Sequence, residues 1–330
     1  MGMAPLRLFH TVNDYVAALV GFCCTSFMIY LIRQSRNVEL KKYNIIMLQS
    51  TFIDLALNMM NFLAKPIIVT NDHTLSIIIN PIFDFGKDFD VALFITWVIA
   101  LYFSICAVPI SFIYRYRTLC QNKAFPTELH FGCLFVAGLF AITYAFHAFY
   151  AFVVRTQHFM NLSEELAPWF ADNSGKVDAT AFIGSFDSYL YFFMIHATVI
   201  IVICYSIIIF CSWKIYHFLM VHQQTSNIKS LVVEVQKQLT RTLVAQAVIP
   251  LFTFMIPVVL IILTSTLPIY ISPGVSGFFG LVLTYIPIAN ALSMFFFVKS
   301  YRRRGKLMFM KLLQIFLGKS PSTSPALSQL

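Results

Sequence analysis

Residues 91–113 read VALFITWVIALYFSICAVPISFI, a run of 23 residues without a charged side chain. A helix needs about 20 mostly apolar residues to cross the hydrocarbon core of a bilayer. The run is long enough for this, and it is apolar on nearly all sides, which is typical of a helix in a bundle within lipid rather than of a one-faced surface helix. The stretch therefore predicts a transmembrane helix over Val91–Ile113.

Six further stretches of similar length and character occur in the chain of 330 residues. They are Val12–Ile32, Asn44–Ala64, Phe131–Val154, Ser188–Cys211, Thr242–Ser265 and Ser276–Val298. Only 11% of all residues are charged and 59% are hydrophobic, whereas about 25% of a soluble domain is charged. The sequence thus excludes a cytosolic enzyme and a disordered chain, and it predicts an all-α membrane protein with a seven-transmembrane helix bundle.

The distribution of basic residues predicts the orientation of this bundle. If the N-terminus lies outside, 18 of the 23 Lys and Arg residues fall in the inner segments. Cytoplasmic loops characteristically carry such an excess. We therefore expect an extracellular N-terminus and a cytoplasmic C-terminus. The net charge of +9 then reflects orientation and contact with the inner leaflet of the lipid bilayer, and it gives no support for nucleic-acid binding.

These patterns divide the chain into four parts. They are a short extracellular N-terminus (1–11), the seven-transmembrane domain (12–298), a basic amphipathic juxtamembrane segment (299–319) and a flexible cytoplasmic tail (320–330). The third part interleaves basic and apolar residues, as a helix on the anionic inner leaflet does. Asn161-Leu162-Ser163 is the only N-x-S/T sequon, and it predicts N-glycosylation of Asn161 in the longest outer loop. No metal-ligand spacing occurs, so we predict no metal and no cofactor.

Polar residues form one stripe along the second predicted helix. They are Ser50, Asp54, Asn58, Asn61 and Lys65. Spacings of three and four place them on one face. An ionisable group at mid-bilayer costs on the order of 3 kcal/mol and therefore faces the bundle interior. Two interpretations stay open, namely hydrogen bonds that tie helices together and a hydrated network that reorganises between two conformations. We expect the network to comprise Asp54, Asn58, Asn61 and, as partner of Asp54, Asn290.

Aromatic and histidine side chains cluster in the outer parts of the third, fourth and fifth spans. They are Phe94, Trp97, Tyr144, His147, Tyr189, Phe193 and His196. Aromatic residues near the membrane interface commonly serve as anchors. Together these residues can also line an apolar pocket in which a few polar groups orient a small ligand. We treat them as the candidate ligand pocket.

Two prolines, Pro250 and Pro257, lie seven residues apart in the sixth span and so share a face. Each removes a backbone hydrogen bond and kinks the helix. The kinked helix is either a passive shape or a hinge between two packings, and we favour the hinge.

Four short motifs, in a fixed order, carry a resemblance to a known family. They are Glu39-Leu40-Lys41-Lys42-Tyr43-Asn44; Phe112-Ile113-Tyr114-Arg115-Tyr116; Gln238-Leu239-Thr240-Arg241-Thr242-Leu243 followed by Ala245-Gln246-Ala247-Val248-Ile249-Pro250; and Lys299-Ser300-Tyr301-Arg302. Through them the chain resembles the nematode serpentine chemoreceptors over about residues 10–305. It is most similar to their class D, and the STR-type classes are near relatives.

The resemblance implies a G-protein-coupled chemosensory receptor and no enzyme. Such a receptor binds a small external chemical, rearranges its helices and signals to a heterotrimeric G protein from the plasma membrane, here the ciliary membrane of chemosensory neurons. Arg115, Tyr116 and Arg241 would lie at the G-protein face. The chain departs from the rhodopsin-like pattern because no acidic residue is adjacent to Arg115, so we do not expect a lock by a neighbouring carboxylate.

The alternative function is a ligand-gated channel or a transporter of the sensory membrane. Such proteins carry rings of charged side chains or internal repeats. The sequence has no internal repeat and only two acidic residues, Asp14 and Asp54, within the predicted spans. These observations favour the receptor.

Overall fold

The computed structural model describes most of the chain. The described residues are 5–34, 43–71, 74–83, 85–155, 180–185, 187–225, 236–249, 251–252 and 273–316.

Helices make up most of the described residues. In chain order they are α1 (Pro5–Arg33), α2 (Asn44–Ala64), α3 (Lys87–Arg115), α4 (Thr127–Phe149), α5 (Ser188–Thr225), α6 (residues 236–249), α7 (Pro273–Thr284), α8 (Ile286–Phe297) and α9 (Lys299–Phe316). Helices α3 and α4 each continue into a π-helical turn, over Tyr116–Cys120 and Tyr150–Val154. Within the described residues, five helices are long and apolar enough to cross a membrane, and α7 with α8 forms a sixth, bent span. The predicted span Thr242–Ser265 lies mostly outside the described residues.

The seventh predicted span, Ser276–Val298, is bent rather than straight. Helix α7 ends at Thr284 and α8 begins at Ile286, with 45° between their axes. Pro287 occupies the first turn of α8. It has no backbone N–H to donate to the preceding turn, so one continuous helix is interrupted here.

The first helix begins about two turns before Val12, so most of the segment 1–11 that we expected to be a short N-terminus is helical. The polar side chains of this extra stretch, Arg7 and His10, are buried. Arg7 Nη2 donates to Asn80 Oδ1 at 3.0 Å, and the His10 ring lies 6.0 Å from the ring of Phe278. Partners from distant parts of the chain therefore allow Arg7 and His10 to lie inside the bundle, although a search for apolar stretches leaves these polar residues out of the first helix.

A three-stranded antiparallel sheet lies at the outer end of the bundle, in segments that the sequence predicts to be loops. Strands β1 (Pro66–Asn71) and β2 (Thr74–Ile79) form a hairpin between α2 and α3, and β3 (Thr180–Ser185) pairs with β2. Pro66 faces Ile79, and Thr74 faces Ser185. The hairpin is rich in β-branched residues, which favour strands.

The sheet is attached to the bundle through one of its faces and through the edge of β1. Leu75, Ile77 and Phe182 join the main hydrophobic core, which is built around α3. Along the free edge of β1, the Ser276 hydroxyl of α7 accepts from the Thr70 N–H and donates to the Thr70 carbonyl, at 3.1 Å each. This side chain satisfies both backbone groups of Thr70 in place of a neighbouring strand and fixes the sheet edge to the seventh span.

The basic juxtamembrane segment forms α9 at the inner end of the bundle. Tyr301 is fully buried and its hydroxyl donates to Met47 Sδ at 3.5 Å. Arg302 Nη1 donates to the Phe296 carbonyl at 3.2 Å. Further along, Phe309 and Met310 are exposed, which suits contact with the inner leaflet.

Candidate functional site

Two of the seven predicted pocket residues, Phe94 and Trp97 of α3, are packed inside the bundle core. The ring of Phe182, in β3, stacks on Phe94 with 4.6 Å between ring centroids. Trp97 Nε1 donates to Asn61 Oδ1 of α2 at 2.9 Å. These two side chains therefore fill the interior beneath the sheet, and they are not among the residues that line the outer groove described next.

The other five predicted pocket residues gather between α4 and α5. His147, Tyr189 and Phe193 line a groove of about 450 Å³, which we call the α4–α5 groove. Tyr144 stacks on Phe193 with 4.7 Å between ring centroids. His196 Nδ1 lies 2.9 Å from His147 Nδ1, so the two imidazoles share a hydrogen bond across the two helices.

The polar stripe of α2 reaches three different helices. Asn58 Nδ2 donates to the Ala18 carbonyl of α1 at 3.0 Å. Asn61 Oδ1 accepts from Trp97 of α3. Asp54 Oδ1 accepts from Asn290 Nδ2 of α8 at 2.8 Å. The two asparagines of α2 therefore tie helices together, which is the first of the two interpretations above.

The second interpretation, a hydrated network that reorganises, requires space for water and polar groups without protein partners near Asp54 and Asn290. A polar cavity of about 20 Å³ adjoins them, and Gln246 of α6 and Ser111 of α3 also line it. That volume suffices for one water molecule. Among the described residues, Asp54 Oδ2, Asn290 Oδ1 and Gln246 Nε2 are buried without a hydrogen-bond partner in the protein. Spare hydrogen-bonding groups on α2, α6 and α8 are what a network needs if it is to exchange partners when the helices shift.

A second small cavity, which together with the first we call the polar column, lies on the inner side of the first. Its volume is about 20 Å³, and Ser50, Ser111 and Gln246 line both cavities. At its inner end lie Tyr43 and Arg115. The column therefore connects the middle of the bundle with the inner end of α3.

Arg115 is buried, with only 2% of its surface exposed. Its Nη2 donates to the backbone carbonyl and to the side-chain Oε1 of Gln236, at 3.0 Å each. Gln236 Nε2 donates in turn to the Tyr43 hydroxyl at 3.3 Å, and the Tyr43 ring centroid lies 5.6 Å from the guanidinium carbon. Among the described residues, an amide and a backbone carbonyl, rather than a carboxylate, thus hold the buried cation. We call this arrangement the Arg115 clasp.

The three residues predicted to face a G protein are exposed to different degrees. Arg241 of α6 is exposed, Tyr116 is half-buried and Arg115 is buried. The Tyr116 ring lies 6.0 Å from that of Phe210 in α5. In this packing they do not form one accessible surface, because the Arg115 clasp encloses its arginine.

Sequence reasoning missed Gln236 and Gln246 as site residues. Gln236, Leu239, Thr242 and Gln246 are spaced three or four residues apart and are all buried on one face of α6. Two glutamines on that face are a detectable signal of polar partners inside the bundle. The predicted kink residues Pro250 and Pro257 and the predicted glycosylation site Asn161 lie outside the described residues.

Comparison with known proteins agrees with this architecture. Residues 10–306 match the sequence model of a family described as serpentine type 7TM GPCR chemoreceptor Str. No curated protein shows significant similarity to the sequence. Among solved structures, the crystal structure of squid rhodopsin is similar, with a TM-score of 0.63, 13% identity, and coverage of 96% of this chain and 89% of that chain. At this identity the likeness concerns the fold alone, and it confirms the prediction of a seven-transmembrane bundle.

Proposed function

Because the chain belongs to the Str family of serpentine seven-transmembrane chemoreceptors, we propose that it binds a small external molecule and activates a heterotrimeric G protein when its sixth helix moves. The family membership makes it a multi-pass membrane receptor of the G-protein-coupled type and not an enzyme. Beyond this, we propose the binding of a small external molecule, the coupling to a heterotrimeric G protein and the movement of the sixth helix.

The Arg115 clasp is the observation that carries the proposal. Its acceptors lie at the start of the described part of α6, and its cation lies at the inner end of α3. An arginine enclosed in this way is inaccessible to a cytoplasmic partner. Movement of α6 away from α3 would break both hydrogen bonds and expose the cation beside Tyr116, so that it could act together with the exposed Arg241. Two packings that differ in whether this cation is buried can act as a switch, and the free energy of the broken hydrogen bonds is the cost of switching.

The polar column supplies a route from the middle of the bundle to this switch. Asp54 and Asn290 join α2 to α8, and Gln246 of α6 lines the adjoining cavity. A shift of the outer helix ends would change which of these groups bond to each other. Such a change acts on α6, which also carries the clasp. Pro250 and Pro257 are the proposed hinge of this helix.

We also propose a receptor subclass, a type of ligand, a cellular location and the residues that contact the ligand. The four sequence motifs support class D of the nematode serpentine receptors as the subclass, an odorant or soluble chemical as the ligand, and the ciliary membrane of chemosensory neurons as the location. The residues in the outer parts of α4 and α5, His147 among them, provide the ligand contacts.

The proposal is tested by expressing the full chain in a heterologous cell with a promiscuous G protein and screening volatile and water-soluble compounds. Arg115→Ala should abolish the ligand-evoked signal while surface delivery persists. Arg33→Ala, which removes an exposed arginine at the inner end of α1, is the matched control and should signal normally. A normal response of Arg115→Ala would remove the clasp from the mechanism. Ligand-evoked currents that persist when G-protein signalling is blocked would replace the receptor by a channel.

A further inference from the structure

The lining of the α4–α5 groove is exposed on the side of the bundle that faces the bilayer. Both helices pack more extensively on α3 than on each other, which leaves a gap between their outer halves. Phe146 and Phe192, two of its lining residues, are 66% and 64% exposed. They belong to helices that cross the membrane, so these surfaces face hydrocarbon. The groove volume of about 450 Å³ lies within the usual range of small-molecule sites.

A polar pair lies deep in this apolar surface. His147 precedes the end of the α4 π-helical turn by about two helical turns, and His196 follows the start of α5 by a similar length. At a rise of 1.5 Å per residue, both lie about 10 Å below the outer ends of their helices. Polar side chains at such depth are costly unless they have partners. Their contact through the two Nδ1 atoms satisfies one nitrogen of each ring.

The contact between the two Nδ1 atoms leaves the Nε2 of each ring for a further hydrogen bond. In neutral imidazole one nitrogen donates and the other accepts. When His147 Nδ1 accepts from His196, His147 Nε2 is a donor, and when the tautomers exchange it is an acceptor. His147 lines the groove. It can therefore bond either a carbonyl or a hydroxyl group, whereas a phospholipid acyl chain would leave Nε2 unpaired in hydrocarbon at a cost.

The way into the bundle from the outer solution is occupied where the structure describes it. The sheet lies over α3, and Phe182 of β3 fills the space above Phe94. The Ser276 hydroxyl holds the edge of β1 against α7. A ligand that partitions into the outer leaflet reaches His147 without displacing any of these contacts.

We infer that the α4–α5 groove binds a small neutral lipophile with a single hydroxyl or carbonyl group, which enters sideways from the outer leaflet and bonds His147 Nε2. This inference rests on the proposed receptor function and names the ligand class and the entry route. Ions and highly polar solutes are excluded from the site because they do not partition into the hydrocarbon.

The test uses binding alone, with the purified full chain in phosphatidylcholine nanodiscs. The probe is decanol that carries a photoreactive diazirine, and labelled peptides are located by mass spectrometry. Labelling should concentrate in residues 146–151 and 188–193. Unlabelled decanol should compete, and decane, which has the same chain without the oxygen, should compete about three- to tenfold more weakly, as expected for one hydrogen bond.

Two variants and one control sharpen the result. Ala151→Trp should fill the groove and abolish the focused labelling. His147→Phe should keep the labelling but remove the preference for decanol over decane. Leu139→Trp, on the exposed face of α4 nearer the inner end, should change neither. Normal thermal unfolding of each variant shows that the fold is intact.

Labelling spread evenly over the lipid-facing residues of all helices, labelling no greater than that of the surrounding lipid, or equal competition by decane would each overturn the inference. The nanodiscs contain no G protein. A receptor that labels as expected but never signals would therefore refute the proposed function and leave the groove site standing. A receptor that signals but labels evenly would do the reverse.

Discussion

Replacing Gln236 by alanine should activate the receptor without ligand. The substitution removes the Oε1 acceptor of Arg115 but keeps the backbone carbonyl, which accepts from the same Nη2. One hydrogen bond to a buried charged group contributes about 1.5–3 kcal/mol. The enclosed packing loses this amount, whereas a packing in which α6 has moved away loses nothing. The equilibrium between them should therefore shift by about ten- to a hundredfold.

The expected size of the effect suits a cellular assay. If about 0.1% of receptors are active at rest, the variant should raise this to between about 1 and 10%. The measurement is G-protein activation in the absence of ligand, divided by the number of receptors at the cell surface. Gln236→Glu should act in the opposite direction, because a carboxylate accepts the same hydrogen bond more strongly and adds charge attraction. It should lower the resting signal and raise the ligand concentration needed for a response.

Gln238→Ala is the matched control for both variants. It removes the same amide from the same turn of helix, but the hydrogen bond that this amide accepts, from the backbone N–H of Lys299, is exposed and involves no charge, so it contributes less than the bond to the buried Arg115. Its resting signal should stay close to that of the unchanged receptor. Equal resting signals from Gln236→Ala, Gln236→Glu and Gln238→Ala at equal surface density would refute the idea that the Arg115 clasp holds the receptor inactive.

Three other predictions concern stability, measured as thermal unfolding of the purified chain. Gly280→Val should destabilise the protein by about 1–3 kcal/mol through overpacking, because a Cβ at Gly280 would lie 3.2 Å from the Ile68 nitrogen of β1. Gly138→Val should not destabilise it, since a Cβ there meets no neighbouring side chain or segment within 4 Å. Equal losses from the two variants would contradict the packing of the sheet on α7. Asp54→Leu should cost about 1–3 kcal/mol, because it leaves Asn290 Nδ2 without its acceptor. Asp54→Asn, which keeps an acceptor oxygen, should cost less, and equal losses from the two variants would show that this hydrogen bond does not account for the effect. Asp187 lies just before α5, and its pKa is lowered below the usual 3.8. Slight burial raises this pKa, but hydrogen bonds from the backbone N–H groups of Leu190 and Tyr189 and the charge of Arg155 lower it by more. Asp187 therefore caps the N-terminus of α5, and the stabilisation from its carboxylate is complete above pH 3.8 and lost as the pH falls through the lower pKa of the folded protein. Asp187→Ala should cost about 0.5–2 kcal/mol near neutral pH and nothing in strong acid. A loss of stability that is independent of pH would contradict this role.

Several site features were accessible to sequence reasoning because they depend on local pattern. The stripe of α2 follows from spacing alone, and the structure places Asp54 and Asn290 within hydrogen-bond distance. The grouping of His147, Tyr189 and Phe193 likewise follows from their depth in neighbouring spans. Helix periodicity and membrane depth fix which residues share a level and a face, so residues from adjacent helices meet without further information.

Other features were not accessible because they depend on which distant segments meet. Phe94 and Trp97 share the depth of the groove residues, yet Phe182 and Asn61 cover them. Arg115 was expected at an exposed face, yet Gln236 and Tyr43 enclose it. In each case the decisive partner lies far away in sequence or in a loop, where no local periodicity applies.

The sequence by itself determined that the chain crosses the membrane seven times, with its basic residues inside. Transfer of about 20 apolar residues into lipid and retention of Lys and Arg in the cytoplasm are properties of each segment alone. Only the tertiary structure decided that a sheet covers the outer end, that a groove opens toward lipid beside His147, and that an amide holds the buried Arg115. Within lipid, apolar side chains contact hydrocarbon or protein with little difference in free energy. Close packing and the few buried hydrogen bonds therefore select the partners, and both depend on the assembled bundle.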